Sequence, residues 1–272
     1  MKNIMLFNNN RKASLKTKEQ LKGILIKNGF NIVTEKANLI IVIGGDGTML
    51  SAIRKHRYKN TPFLGINTGS LGFLPSISPN EIEKIISILK NKDYKIMSYP
   101  LLEVKGVTVK GNKLFHYAFN EILIKHLDPT IMEAKIYING KPFNYFTGDG
   151  FIISTPIGAT GYAIWAGGVA THSELPVYQI TPLNPNDNSI NRPLKTSMIV
   201  PVDTLLDIKI VKDKYRAVIV ACDGRKVSND YISELHISAS HKAIKILRWG
   251  EYDYFDLYKN KIIDKNISKI IF

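Results

Sequence analysis

Residues 40–50 read IIVIGGDGTML. Ile40, Ile41, Val42 and Ile43 form an apolar, β-branched run with no polar alternation. That is the pattern of a strand covered on both faces, as in a parallel sheet flanked by helices. The run stops abruptly on Gly44, Gly45, Asp46, Gly47 and Thr48. In open α/β sheets, ligands collect at the carboxyl ends of the strands. Glycines there let backbone N–H groups come close to an anion. A helix beginning near Thr48 adds the positive end of its dipole. An acid inside such a cradle is costly unless it holds a metal ion or accepts a proton. The other reading is a tight turn in which Asp46 only caps the helix. Neither GxGxxG nor the GK[ST] ending of a Walker A loop fits the stretch.

The flanking sequence supports a doubly wound sheet. NIMLF at 3–7 reads as a short buried strand, and TPFLGIN at 61–67 as a third strand after NLIIVI. Leu15, Leu21, Ile24 and Leu25 fall near helical spacing, with Gly29 as a stop. TMLSAIRKH predicts a short helix, and residues 78–95 one amphipathic helix with Pro79 in its first turn and Ser78 or Asn80 as cap. Residues 1–97 therefore run β-α-β-α-β-α, an α/β domain with a Rossmann-like parallel sheet.

Near Pro100 the period changes. LLEVKGVTV, LFHYAFNEILIK, EAKIYING, GFIIS, TLLDIKIV, AVIVAC and YISELHISAS are short strands separated by turn residues. They predict a mainly antiparallel, sandwich-like β domain. TPLNPNDNSINRPLK at 181–195 reads as a long loop. The segment YDYFDLYKNKII returns to helical spacing. The expected division is an α/β domain at 1–99, completed by 252–272, and a β-rich domain at 100–251. Tyr252, Tyr254 and Phe255 form an aromatic group suited to core packing or, second, to a subunit contact.

Composition removes several classes. The formal charge of +14 suits an anionic ligand. The lysines are nevertheless scattered, with no basic run of five and no nucleic-acid-binding motif. No apolar run approaches the roughly 18 residues of a membrane-spanning helix. The first residues are too short an apolar stretch for a secretory signal, so a cytoplasmic location is expected. Cys222 is the single cysteine, which excludes an internal disulfide. The six histidines show no metal-ligand spacing.

GGDGT resembles the signature of the NAD kinase, diacylglycerol kinase and phosphofructokinase superfamily. Three further stretches resemble the NAD kinase family in particular: LGINTGSLGFL at 64–74, the Asn120–Glu121 pair in FNEILI, and TGDGFIISTPIGATGYAIWAGG at 147–168. ITPLNPNDNSINRPL resembles that family's TP-x-x-P…RPL loop. The resemblance runs in order from about residue 39 to 225. It implies phosphoryl transfer from ATP or another donor to the 2′-hydroxyl of the adenosine ribose of NAD, giving NADP. A carboxylate within reach of that weak nucleophile would take its proton, typically worth about 10²–10⁴ in rate. By resemblance Asp46 is that base.

The resemblance carries further residues to binding. Gly44, Gly45, Gly47 and Thr48 would hold donor phosphates, and Phe73 belongs to the segment after the third strand. Asn120 and Glu121 would contact the dinucleotide, although Glu121 at a sheet edge could equally be solvated. Thr147 and Asp149 lie in the GDG stretch, with Asp149 seating the nicotinamide side or serving as a turn residue. Thr155 matches the STP threonine. Thr160, Gly161, Tyr162 and Ala163 follow it, with Tyr162 either supplying aromatic surface to the ligand or sitting in a core. Asn184 falls at a contact position of the long loop. Asp223, in the second DG, reads mainly as a hairpin turn. Ile157, Ala159 and Gly161 depart from the family pattern, and each hydroxyl so lost removes about 0.5–1.5 kcal/mol if it made a hydrogen bond. No metal ligand is assigned; Mg²⁺ bridging the donor phosphates is implied. A homodimer or homotetramer is implied, with no nucleic-acid or membrane partner.

Two other readings compete: a lipid or sphingoid kinase of the same superfamily, and a non-catalytic basic module binding nucleotides or RNA. Thermal melting separates the last from the first. NAD or NADP at 100 times its dissociation constant adds about 2.7 kcal/mol and raises Tm, whereas a short RNA leaves it unchanged. The reverse result would favour the binding module.

Overall fold

Leu39 to Ile43 are at most 1% exposed, so the strand that ends at the glycines is covered on both faces as its composition demands. The computed structural model describes residues 1–57, 60–69, 72–74, 77–187, 191–211, 216–250 and 253–263. The chain divides into two units, one formed by Met1–Ser98 with the chain from Ile244 onward, the other by Tyr99–Ala243.

In the first unit, β1 (Asn3–Asn8), β2 (Asn31–Ile32), β3 (Leu39–Ile43) and β4 (Phe63–Ile66) form a parallel sheet in the order β2-β1-β3-β4. Ile41 pairs with Leu6 on one side and Leu64 on the other. Ile246, late in the chain, pairs in parallel with Phe63. Helix α1 (Lys12–Lys27) buries Ser14, Thr17, Leu21 and Leu25, one face at three- and four-residue steps. Asn28 closes it and Gly29, at φ +84°, turns the chain away. Helix α2 (Asp46–His56) follows β3 directly.

The single helix expected at 78–95 is two pieces. A 3₁₀ turn at Pro79–Glu81 carries a capping box between Ser78 and Glu81. Helix α3 (Lys84–Asn91) then ends at Lys92 in a left-handed conformation. The chain turns straight into strand, so residues 95–98 belong to a β element. The aromatic tail forms a short helix, α4 (Tyr254–Tyr258), capped by the Asp253 carboxylate, with a π-helical turn at Lys259–Ile263. Tyr254 is buried and Phe255 is exposed; Tyr252 lies outside the described residues.

The second unit is a β-sandwich. One six-stranded antiparallel sheet has the order β12-β11-β10-β7-β14-β15, from β7 (Glu121–His126), β10 (Gly150–Ser154), β11 (Val177–Leu183), β12 (Met198–Pro201), β14 (Val218–Cys222) and β15 (Arg225–Asp230). The long loop expected from residue 181 thus begins only after Leu183. Opposite, β8 (Met132–Ile138), β9 (Lys141–Gly148), β13 (Leu206–Ile210) and β16 (Ile232–Arg248) pair antiparallel in the order β16-β13-β8-β9. β5 (Lys95–Thr108) and β6 (Lys113–Ala118) form an antiparallel pair beside them. The alternating apolar residues of both sheets meet in one core that includes Ile124, Ile153, Val220, Ala134, Ile208 and Leu235.

Phe146 and Phe151 pack within that core with ring centroids 4.1 Å apart. Phe151→Ala should cost about 3–5 kcal/mol of unfolding free energy, read from urea denaturation. A loss under 1 kcal/mol would mean the sheets do not close over this ring.

Candidate functional site

The first cluster sits where β3 ends. Helix α2 begins at Asp46 itself, two residues before the expected start, and its N-cap is Gly45 with no side-chain cap bond. Asp46 is therefore in the first turn, not the capping position, and its carboxylate turns elsewhere. Oδ2 accepts the Phe73 N–H at 2.9 Å and Oδ1 the Leu74 N–H at 3.0 Å. The Leu74 carbonyl in turn accepts Arg248 Nη1 at 2.9 Å, and Arg248 is 3% exposed. Burial pushes the Asp46 carboxyl up from its ordinary 3.8; the two amides, Lys261 and Arg248 pull it back in part.

The glycines around Asp46 differ in purpose. A Cβ on Gly44 would lie 2.3 Å from Thr48 Oγ1, so the close approach of the Thr48 side chain requires glycine. Thr48 Oγ1 accepts Asn9 Nδ2 at 2.9 Å, which fixes it there. Gly45 and Gly47 have nothing within 4 Å of a built Cβ. Among the described residues nothing demands glycine at these two positions, and the space beside their backbone suits the approach of a ligand. An open cleft of about 900 Å³ lies in the same unit, lined among others by Asn67, Thr68, Arg248, Trp249, Asp256 and Lys261.

The second cluster belongs to the β unit. Strand β6 ends at Ala118 and β7 begins at Glu121, so Asn120 lies in a break rather than on the strand. Consecutive strand residues would face opposite ways. Instead both side chains reach one glycine: a Cβ on Gly161 would stand 3.5 Å from Glu121 Oε2 and 3.9 Å from Asn120 Nδ2. Glu121 is not at an edge, because β7 lies between β10 and β14, and it is 8% exposed. Among the described residues, the buried Asn120 Oδ1 has no hydrogen-bond partner. A buried acceptor left open is expensive without a ligand to donate to it.

Around this pair the chain is tightly fitted. Gly158 lies so close that a Cβ would sit 2.1 Å from the Asn120 carbonyl oxygen. Thr155 Oγ1 donates to the Phe119 carbonyl at 2.7 Å and accepts the Gly158 N–H at 3.1 Å. The segment Ala159–Ala163 is a π-helical turn with Gly161 outside helical geometry. It exposes Tyr162 (48%), which removes the core reading of that ring, while Thr160 is half-buried.

Several residues expected to touch a ligand have side chains engaged inside the protein. Ile157 and Ala163 are buried, as is Ala159. The departures at 157 and 159 therefore alter packing, and only the one at 161 faces the Asn120–Glu121 pair. Thr147 Oγ1 donates to the Asn186 carbonyl at 2.8 Å and accepts Asn191 Nδ2 at 3.0 Å, holding the long loop. Asp149 is exposed and accepts Asn184 Nδ2 at 2.8 Å. Asp223 forms the β14–β15 turn with Gly224, at φ +50° and +70°, but it is buried and its carboxylate is taken up by backbone amides. The sequence reading missed Arg248 and Lys261 around Asp46, and that the Leu74 amide donates to it. No local pattern marks the two cations, since both lie some 200 residues away in the chain. Among the described residues no group of three or more His, Cys, Asp or Glu could hold a metal ion.

Comparison with known proteins adds a separate line. The ATP-NAD kinase N-terminal domain family matches residues 2–94, and the ATP-NAD kinase C-terminal domain family matches residues 119–249. The NAD kinase of Finegoldia magna is 34% identical over 266 residues, covering 96% of this chain and 97% of that one. The NAD kinase of Lactobacillus acidophilus is 31% identical over 269 residues, covering 97% and 98%. Among solved structures, yeast NADH kinase complexed with NADH superposes with a TM-score of 0.84 at 17% identity, covering 100% of this chain and 90% of that one. An NAD kinase from Archaeoglobus fulgidus in complex with ATP gives 0.75 at 22% identity, covering 96% of each. These two show a shared fold.

Burial first, and the Asp223 charge second, push the Glu121 carboxyl from 4.5 up to about 7, against the Gly224 N–H that lowers it. Between those values the folded state holds the proton that the unfolded chain has released. Stability from this group is therefore present below pH 4.5 and lost as pH rises to about 7, about 3 kcal/mol in all at 1.36 kcal/mol per pH unit. Glu121→Gln should flatten the pH dependence of unfolding by that amount, measured with urea from pH 4 to 8. Parallel curves for the two proteins would show that Glu121 is not desolvated.

Proposed function

The chain belongs to the ATP-NAD kinase family, and from that premise we propose that it transfers the terminal phosphoryl group of ATP to the 2′-hydroxyl of the adenosine ribose of NAD, giving NADP. The observation that carries the residue assignment is the seat of Asp46. Two main-chain amides fix the carboxylate but use one lone-pair site on each oxygen. A second site on each stays free to accept the ribose hydroxyl proton. Partial burial makes the group a stronger base than an exposed aspartate.

Phosphoryl transfer runs through a loose transition state, so position and charge matter most. The open backbone at Gly45 and Gly47, at the N-terminus of α2, suits the donor phosphates. Gly44 and Thr48 hold that turn in shape. Arg248 and Lys261 bring positive charge to the Asp46 side of the cleft. Its volume lies within the range of small-molecule sites, and it suits the body of the donor nucleotide. Phe73 acts through its amide on Asp46. On the acceptor side, the open Oδ1 of Asn120 suits an exocyclic amine or a hydroxyl donor, and Glu121 suits sugar hydroxyls. Thr160 and Tyr162 offer a hydroxyl and an exposed ring, Gly161 the space for approach, and Asp149 with Asn184 a polar pair for the nicotinamide side.

The protein's own carboxylates form no metal cage among the described residues. A divalent ion, Mg²⁺ by resemblance, would arrive on the donor phosphates with at most one or two protein ligands. No helix among them is long and apolar enough to cross a membrane. A cytoplasmic homodimer or homotetramer serving NADP biosynthesis follows from the family resemblance.

Asp46→Asn keeps an acceptor for one of the two amides and removes the base. In a coupled assay of NADP formation, kcat should fall about 10²–10⁴-fold, while the lost hydrogen bond lowers Tm without abolishing the cooperative melting transition. Turnover within a few-fold of the native chain would reject Asp46 as base. No NADP from the native chain with any phosphoryl donor would reject the activity.

A further inference from the structure

We propose that Asp223 is a positioning residue: its carboxylate fixes the chain break at Phe119–Asn120, and that break brings the Asn120 and Glu121 side chains to one face. The inference rests on the dinucleotide-binding role of those two residues given above. Without a break, adjacent strand residues point to opposite faces. Here both approach Gly161, so the break is what makes them a pair.

A break inside a buried sheet exposes four backbone groups, and each must find a partner. The Phe119 N–H donates to Asp223 Oδ1 at 2.9 Å and to Oδ2 at 3.1 Å, and the Asn120 N–H donates to Oδ1 at 2.7 Å. The two carbonyls go to Thr155: its Oγ1 donates to Phe119 at 2.7 Å and its N–H to Asn120 at 2.9 Å. All four groups are thereby satisfied by two residues. Asp223 is tied in return, since its own N–H donates to the Glu121 carbonyl at 3.0 Å. The β14–β15 turn that presents it needs left-handed backbone at 223 and 224, where Asp and Gly serve. Asp223 is the charged group that acts on the Glu121 carboxyl, as the Gly224 amide opposes it. One side chain therefore fixes the place of the pair and adds its charge to the burial that already raises the acid.

Two variants separate these effects. Asp223→Gly keeps the turn's backbone freedom and removes the carboxylate. Asp223→Asn keeps an oxygen for both amides and removes the charge. With Asp223→Gly, kcat/KM for NAD should fall about 10–100-fold, mainly through KM, and amide hydrogen exchange at residues 119–120 should accelerate. Asp223→Asn should restore kcat/KM to within a few-fold while moving the acidic limb of its pH profile to lower pH. Native kcat/KM in Asp223→Gly overturns the proposal. Equal loss in both variants overturns it too, because the retained acceptor would then not matter. An unshifted pH profile in Asp223→Asn removes the electrostatic half. If the native chain formed no NADP, the activity would fall by itself, and unchanged exchange at 119–120 in Asp223→Gly would still be needed to refute the clamp.

Discussion

A carboxylate that leaves water must be handed hydrogen-bond donors, and main-chain amides are the cheapest ones because their own cost of order is already met by the fold. Asp46 and Asp223 both use that device. Each accepts from two consecutive amides, 73 and 74 in one case, 119 and 120 in the other. Two neighbouring N–H groups aimed at one carboxylate are a strong geometric constraint on the loop that carries them. The acid is thus the organiser of the loop as much as the loop is the holder of the acid. Asp46 itself and the Asn120–Glu121 pair are each placed by one of these two seats.

The two seats differ in what is left over. Asp46 is only partly buried, at the first turn of a helix, beside glycines whose open side no protein atom fills. It retains the access that its proposed role as base requires. Asp223 is 7% exposed and encloses its charge behind a hairpin turn. Its influence reaches outward through backbone and field. In the roles proposed for them, the same residue type, held by amides in the same way, is reactive or architectural according to the remaining exposure.

Much of this could be read from the sequence where the signal is local. The unbroken run Leu39–Ile43 told of a two-faced strand, and the glycines after it marked the strand end. The alternating strands after Pro100 told of a sandwich. Helix boundaries were poorer, because capping competes with periodicity: Ser78 and Glu81 close a small turn that interrupts what the apolar spacing alone would continue. Other failures at the site were long-range. The alternative reading of Asp46 as a cap fails because its carboxylate accepts from amides 27 and 28 residues away. Asp223 looked like a turn residue, which it is, but its carboxylate works 103 and 104 residues upstream. Arg248 joins Leu74 across 174 residues. No spacing rule carries such information.

The break at Phe119–Asn120 also explains why departures near residue 160 need not be damaging. Ile157 and Ala159 face inward, where what matters is volume. Gly158 is held by the Asn120 carbonyl at a distance no side chain tolerates. Gly161 alone stands over the Asn120–Glu121 pair, and a methyl there would meet ordinary contacts of 3.5 and 3.9 Å without clash. Its absence widens the approach to a buried, unpartnered amide oxygen and a carboxyl held near neutrality. On the proposed reading, a ligand hydroxyl or amine entering that space donates to Asn120 Oδ1. Discrimination would then follow from unpaired polar groups: an analogue lacking the donor leaves Asn120 Oδ1 unsatisfied, a penalty far larger than that of a missing methyl.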